Sequence, residues 1–290
     1  MDLATFLVQC LNAVQYGLLL FLVASGLTLI FGIMGVINLA HGSFYMIGAY
    51  LAFVLAPWFG DWYLSKLLAG VILAALFGYL LEWAFFSFLY QRDHLQQVLM
   101  TYALILVFEE LRSLTVGNDV HGVQAPAWLA GGFKLGELMN YPWYRVFASV
   151  ACIVLALALY WVVNRTRLGM MIRAGASNRD MVRGLGIDIQ RLYRIVFAGG
   201  VALAALAGMI AAPLSSVYPG MGGSVLIICF VVVVIGGIGS ISGALIASLL
   251  VGFVDTFGKV FFAEYSGIGV YLLMAIVLVW RPEGLMKRSY

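Results

Sequence analysis

The chain has 290 residues, 64% hydrophobic and only 10% charged, with a net charge of +3 and a mean hydropathy of +1.04. A soluble domain carries about 25% charged residues because its surface must be wetted, so a soluble globular fold is excluded. The small net charge gives no footprint for nucleic acid, and no such partner is expected. Inside a bilayer the backbone must satisfy its own polar groups, which leaves helices or a closed barrel. Barrel strands would alternate in polarity over about ten residues. The apolar runs here, such as Val146–Val163, instead approach the roughly twenty residues of a helical span. The expected fold is all-α: a polytopic transmembrane helical bundle of about eight to nine spans with broken helices, forming a single domain over residues 1–290.

In chain order, apolar windows fall roughly at 8–31, 37–57, 64–90, 95–116, 144–164, 194–213, 224–240, 243–260 and 265–281. The start, Met-Asp-Leu-Ala, has no basic region and the first window is too long for a signal peptide, so it reads as a retained span. That window carries Asn12, Gln15, Ser25 and Thr28. Asn12 and Gln15 share a helix face, with Thr28 several turns further along. A polar stripe of this kind either lines a path or glues helices together.

Two windows are interrupted. The first break reads Phe31-Gly-Ile-Met-Gly-Val-Ile-Asn-Leu-Ala-His-Gly-Ser-Phe44, and the second Ile235-Gly-Gly-Ile-Gly-Ser-Ile-Ser-Gly-Ala244. Irregular backbone at membrane depth survives only where protein or water covers it. Paired breaks of this sort point to a transport path; close helix packing through small residues is the other reading. Polar side chains there need partners. Asn38 is expected to bond the freed backbone near Gly35, and His41 either bonds across helices or lines the path.

Ionisable residues within the windows are few. Glu109 and Arg112 can pair at i,i+3, and Asp255 and Lys259 at i,i+4. Glu82 has no evident local partner: it is protonated, reaches an interface or meets another chain. The stretch Arg165–Arg194 holds Arg165, Arg167, Arg173, Arg179, Arg183, Arg191 and Arg194 against Asp180 and Asp188. Gly117–Trp143 has Lys134 against Asp119 and Glu137. Lys and Arg mark cytoplasmic loops. The first stretch, Arg92 and the tail Arg281-Pro-Glu-Gly-Leu-Met-Lys-Arg288 are therefore expected inside, and the second stretch outside. The N-terminus is then outside and the C-terminus inside. Lys66 and Arg145 stand on the outer side as isolated exceptions, while Trp58, Trp62 and Trp143 form an outer aromatic belt. Within the basic stretch, Ser177–Asp188 opens with capping residues and ends in glycines. It predicts about two turns of amphipathic helix, too short to be stable without a partner protein or lipid headgroups to lie on.

Several chemistries are absent. Cys10, Cys152 and Cys229 lie in apolar windows without disulfide or metal spacing. His41, His94 and His121 lie in different segments, so no metal site is expected. No phosphate-binding Gly-x-x-x-x-Gly-Lys-[Ser/Thr] occurs; Gly252–Lys259 has one residue too many. An enzyme is not expected. A secondary transporter would need coupling groups at the midplane, for which Glu82 is the candidate. No charged ring suits a channel.

Four stretches carry a family resemblance: Gly26–Gly32 running into Ile37-Asn-Leu-Ala-His-Gly-Ser-Phe-Tyr-Met-Ile-Gly-Ala-Tyr50; Thr166-Arg-Leu-Gly-Met-Met-Ile-Arg-Ala174 with Leu185-Gly-Ile-Asp188; Ala205-Leu-Ala-Gly-Met209; and Val234–Ala244 with Arg281-Pro-Glu-Gly-Leu285. With these, the chain resembles the branched-chain amino acid permeases of ATP-driven (ABC) importers over nearly its whole length. The resemblance implies a permease subunit in a bacterial inner membrane, without its own nucleotide site or cofactor. It implies a second homologous permease, two ATP-binding cassette ATPases and a binding protein outside. Alternating access would carry branched-chain or other small apolar amino acids; some members of the family take amides, urea or aromatic acids. On this reading Asn12, Gln15, Thr28, Asn38, His41 and Ser43 belong to the substrate path. Arg173, Ser177, Arg179, Asp180, Leu185 and Gly186 form the surface coupled to an ATPase. Gly236, Gly237, Gly239, Ser240 and Gly243 make a helix break or hinge. Few charges are expected along the path.

Overall fold

A computed structural model describes residues 3–90, 92–135 and 139–286. Glu137, Lys287 and Arg288, which entered the charge reading, lie outside the described residues. The described residues form an all-α membrane bundle: α1 (Leu3–Met34), α2 (His41–Val54), α3 (Ala56–Phe59), α4 (Tyr63–Leu89), α5 (His94–Val116), α6 (Trp143–Arg165), α7 (Arg167–Ser177), α8 (Arg179–Gly184), α9 (Ile189–Ala211), α10 (Met221–Gly236), α11 (Ile241–Phe261) and α12 (Ser266–Trp280). Each apolar window of the sequence holds one of these helices. Five of them, α1, α4, α6, α9 and α11, are long and apolar enough to cross a membrane alone. α2, α10 and α12 are shorter, and α5 carries Glu109, Glu110 and Arg112 in its second half.

The basic stretch 165–194 runs from the end of α6 through α7 and α8 into α9, and α8 is the short helix expected within Ser177–Asp188. One feature departs from the sequence expectation. An antiparallel hairpin, β1 (Gly132–Leu135) with β2 (Met139–Pro142), sits in the segment before α6.

α1 is apolar on all sides, and such a helix belongs in the interior. Its most apolar window is 89% buried, against 22% for α6, so α1 is the central post and α6 an outer wall. α4 and α6 turn Leu68, Ile72, Leu157 and Trp161 outward, as a lipid-facing surface requires. Small residues bring the inner helices together. A Cβ on Gly48 of α2 would stand 2.5 Å from the Ala205 carbonyl carbon of α9, and one on Gly42 would stand 2.7 Å from Leu226 Cβ of α10. Without a hydrophobic drive between helices in lipid, such backbone approach is what holds them.

The bundle has two coherent ends. At one, the start of α6 meets the start of α4 and the end of α9: Tyr63 Oη donates to Tyr144 Oη at 2.6 Å, and Tyr144 donates to the Ile210 carbonyl at 2.8 Å. At the other, α7 and α8 lie against the ends of α1 and α6, through Arg179 Nη2 to the Met34 carbonyl at 2.8 Å and Arg173 to the Val163 carbonyl.

Both broken stretches of the sequence are irregular here. α1 stops at Met34, Gly35 turns with φ +67°, and α2 starts at His41. Asn38 Oδ1 accepts from the Ala40 amide at 3.0 Å; its side chain thus closes the turn into α2 rather than reaching Gly35. In the second stretch α10 stops at Gly236, and Gly237 (φ +98°) reverses the chain. Ser240 caps α11, its Oγ accepting from the Gly243 amide at 3.1 Å. Gly236 and Gly243 are in backbone contact, so break and close packing coexist at this elbow. The tail seals it: the Leu285 amide donates to the Ile235 carbonyl at 2.8 Å, and the Met286 amide to the Gly236 carbonyl at 3.2 Å. These are carbonyls that a helix end otherwise leaves without donors.

Candidate functional site

A cavity of about 470 Å³ opens at the end of the bundle opposite α7 and α8. That size suits a small organic molecule. The first half of α1, the start of α6, the ends of α9 and α11, and Tyr45 and Val225 from α2 and α10 line it. Its rim is polar: Gln9, Asn12, Gln15, Arg145, Asp255 and Lys259. Its floor is apolar: Leu19, Leu20, Val23 and Val225. Asn12 and Gln15 share the inward face of α1, and both hold Arg145, whose Nη1 donates to Asn12 Oδ1 at 2.7 Å and to Gln15 Oε1 at 3.4 Å. Across the cavity, Lys259 Nζ lies 2.5 Å from Asp255 Oδ2, with the Lys259 side chain 60% exposed.

The other path candidates lie behind this cavity. His41 is fully buried, and its Nε2 donates to the Val23 carbonyl at 2.9 Å. Because a carbonyl only accepts, the proton is on Nε2. Nδ1 is left with a free lone pair and no partner among the described residues. Val23 lines the floor, so His41 braces the floor from beneath. One turn on, Tyr45 enters the lining itself. The His41 ring also packs edge-on to Phe44, the centre of an aromatic cluster with Phe77, Phe108 and Phe197. Asn38, Ser43 and Thr28 are buried outside the lining, and Thr28 Oγ1 has no partner among the described residues.

At the opposite end, Asn178 caps α8 through its side chain, which accepts from the Met181 amide at 3.0 Å. Val182 points inward and is buried, whereas Met181 is 65% and Leu185 71% exposed. Ser177, Asp180 and Gly186 are exposed beside them, and Gly186 takes φ +82° to turn the chain towards α9. The helix is thus tied to α1 by Arg179 and carries a bare apolar tip.

A family model described as the permease component of branched-chain amino acid transport systems matches residues 9–278. The chain belongs to this family. Among similar proteins, the BraD permease protein of the high-affinity branched-chain amino acid transport system of Pseudomonas aeruginosa is 31% identical over 98% of this chain and 96% of its own length. LivH, the corresponding permease protein of Escherichia coli, is 28% identical over 98% of this chain and 96% of its own. LivM, a permease protein of the same Escherichia coli system, is 25% identical over 91% of this chain and 67% of its own. No solved structure matches. The protein is thus a multi-pass membrane permease component, and its relatives are transport subunits.

Reading the permease as a sequence misses the charged half of the cavity. Arg145 stands out there only as an exception to the positive-inside rule, and Asp255 with Lys259 as a self-neutralising pair. An arginine at the third residue of an apolar helix, where a charge needs a partner or water, is the signal that marks it. The permease also gives Glu82 a partner. Glu82 sits on a π-helical turn of α4 (Glu82–Phe86), 3.3 Å from Arg194 Nε of α9, and accepts from Tyr90 Oη at 2.6 Å. A carboxylate held in this way is not the free midplane group that ion coupling would call for.

Proposed function

We propose that this chain is the membrane-spanning subunit of an ATP-driven importer in a bacterial inner membrane, carrying branched-chain or other small apolar amino acids inward. It spans the bilayer about nine times, with its N-terminus and the cavity outside and α7, α8 and the C-terminus in the cytoplasm. A second homologous permease stands beside it, and a binding protein delivers substrate to the cavity mouth. Two ATP-binding cassette ATPases dock on the segment 165–194, and nucleotide binds to them and not to this chain. Nucleotide then drives alternating access through its different affinity for the two states of the assembly.

The observation that carries this reading is the placement of the two features at opposite ends. A small-molecule cavity with an apolar floor opens at one end, and a short helix with an exposed Met181–Leu185 tip, tied to α1, lies at the other. The α1 helix joins them: its first half lines the cavity and its last carbonyl receives Arg179. The elbow Gly236–Gly243 gives α10 and α11 a joint about which to move.

Pull-down of the tagged chain from its native membrane in mild detergent tests the assembly. Two P-loop ATPases and a related permease are expected by mass spectrometry. A chain that purifies alone in several detergents refutes it.

A further inference from the structure

We infer that the cavity reads both charges of a free α-amino acid: Arg145 takes the carboxylate, Asp255 takes the ammonium, and the floor of Leu19, Leu20 and Val225 takes the side chain. The inference rests on the importer function proposed above and assigns this subunit its own share of substrate selection.

The described partners of Arg145, the side-chain oxygens of Asn12 and Gln15, are neutral. They fix the guanidinium without cancelling its charge, and none of the ion pairs among the described residues involves it. A guanidinium presents parallel N–H groups that match a carboxylate. Asp255 is only 8% exposed and already holds an ammonium, that of Lys259, at 2.5 Å. The Lys259 side chain is mostly exposed, whereas Asp255 is buried and needs a cation beside it. A substrate ammonium can therefore take its place while Lys259 swings into water. The rest of the lining carries no charge. Amides and urea bring no carboxylate to Arg145, and a simple carboxylic acid brings no ammonium to take the place of Lys259 on Asp255. A zwitterion with an aliphatic side chain satisfies both groups and the floor.

The test uses the complete transporter in proteoliposomes with its ATPases and binding protein, and radiolabelled L-leucine as probe. The binding protein is the same in every sample, so a change in uptake belongs to this subunit. Arg145→Gln and Asp255→Asn are each expected to lower initial uptake about tenfold or more, the loss typical of a charge-assisted hydrogen bond. Arg145→Lys should lose less. Co-purification of the ATPases and the second permease with each variant should match wild type, which reports a folded, assembled complex. Lys259→Met, which removes the competing ammonium, should take up leucine at least as fast as wild type at low substrate. Uptake by Arg145→Gln and Asp255→Asn near the wild-type rate overturns the inference and leaves the importer function standing. Loss of uptake together with loss of co-purification, in Arg145→Lys as in Arg145→Gln, assigns the residue to folding and also overturns it. A wild-type transporter that carries no leucine or other amino acid overturns the function itself.

Discussion

Replacing Gly48 by alanine adds one methyl group where α2 crosses α9. Its Cβ would stand 2.5 Å from the Ala205 carbonyl carbon, and the Ala205 Cα and oxygen are nearer still. Ordinary carbon contacts begin at about 3.5 Å, so the two helices must part by about 1 Å. Every obstructing atom is backbone, so no rotamer change relieves the clash. A gap of that size forfeits a quarter to a half of the dispersion attraction across the seam, and overpacking costs about 1–3 kcal/mol. Alanine returns up to about 1 kcal/mol through helix propensity. Relative to a glycine-to-alanine change that gains the same propensity without a clash, the expectation is a loss of about 1–3 kcal/mol. Thermal unfolding of the purified protein in one detergent checks it. Gly223→Ala in α10, where an added Cβ meets nothing within 4 Å, is the control and should be neutral or slightly stabilising. Ala205→Gly should not rescue Gly48→Ala, because the obstruction is the Ala205 backbone. A Gly48→Ala protein as stable as the control would refute the close-approach argument.

Leu185→Asp places a charge on the bare tip of α8. It should cut substrate-stimulated ATPase activity of the assembled transporter about tenfold while leaving the chain folded; full stimulation would remove α8 from the coupling surface. His41→Ala deletes a buried ring and its bond to the Val23 carbonyl. It should cost about 2–4 kcal/mol in thermal stability and slow leucine uptake; unchanged uptake rate and affinity would reduce His41 to packing. Tyr90→Phe withdraws the donor to Glu82 and should cost about 1.5–3 kcal/mol, measured by the same unfolding assay; an unchanged midpoint would mean that Arg194 alone satisfies the carboxylate.

What the sequence conveys depends on how far a signal reaches along the chain. Apolar windows and glycine density are local, so the bundle class and the irregular stretches around Gly35 and Gly237 can be read directly. Periodicity is local too, and it put Asn12 and Gln15 on one face of α1. It says nothing of what faces them, because Arg145 arrives from a helix far along the chain. The same distance hides the ion pair of Glu82 with Arg194. Asp255 and Lys259 show the opposite failure: their spacing announces the pair correctly, and thereby conceals that it borders a cavity. Polarity at membrane depth does not by itself place a residue at the cavity. Asn38 spends its side chain on the turn into α2, and Ser43 and Thr28 are buried away from the lining.

The seal between the tail and the elbow has a consequence for how the protein is made. The carbonyls of Ile235 and Gly236 receive their donors from Leu285 and Met286, which leave the ribosome only after α11 and α12 have been synthesised. Until then the end of α10 is uncapped, and helices emerge and insert far more slowly than a turn of helix forms. The turn itself is held by the Gly237 amide on the Val233 carbonyl and the Ser240 amide on the Gly237 carbonyl, and the two bonds from the tail are added last. The elbow therefore completes its hydrogen bonding later than the two helices that meet there, and the end of the chain acts as their final fastening.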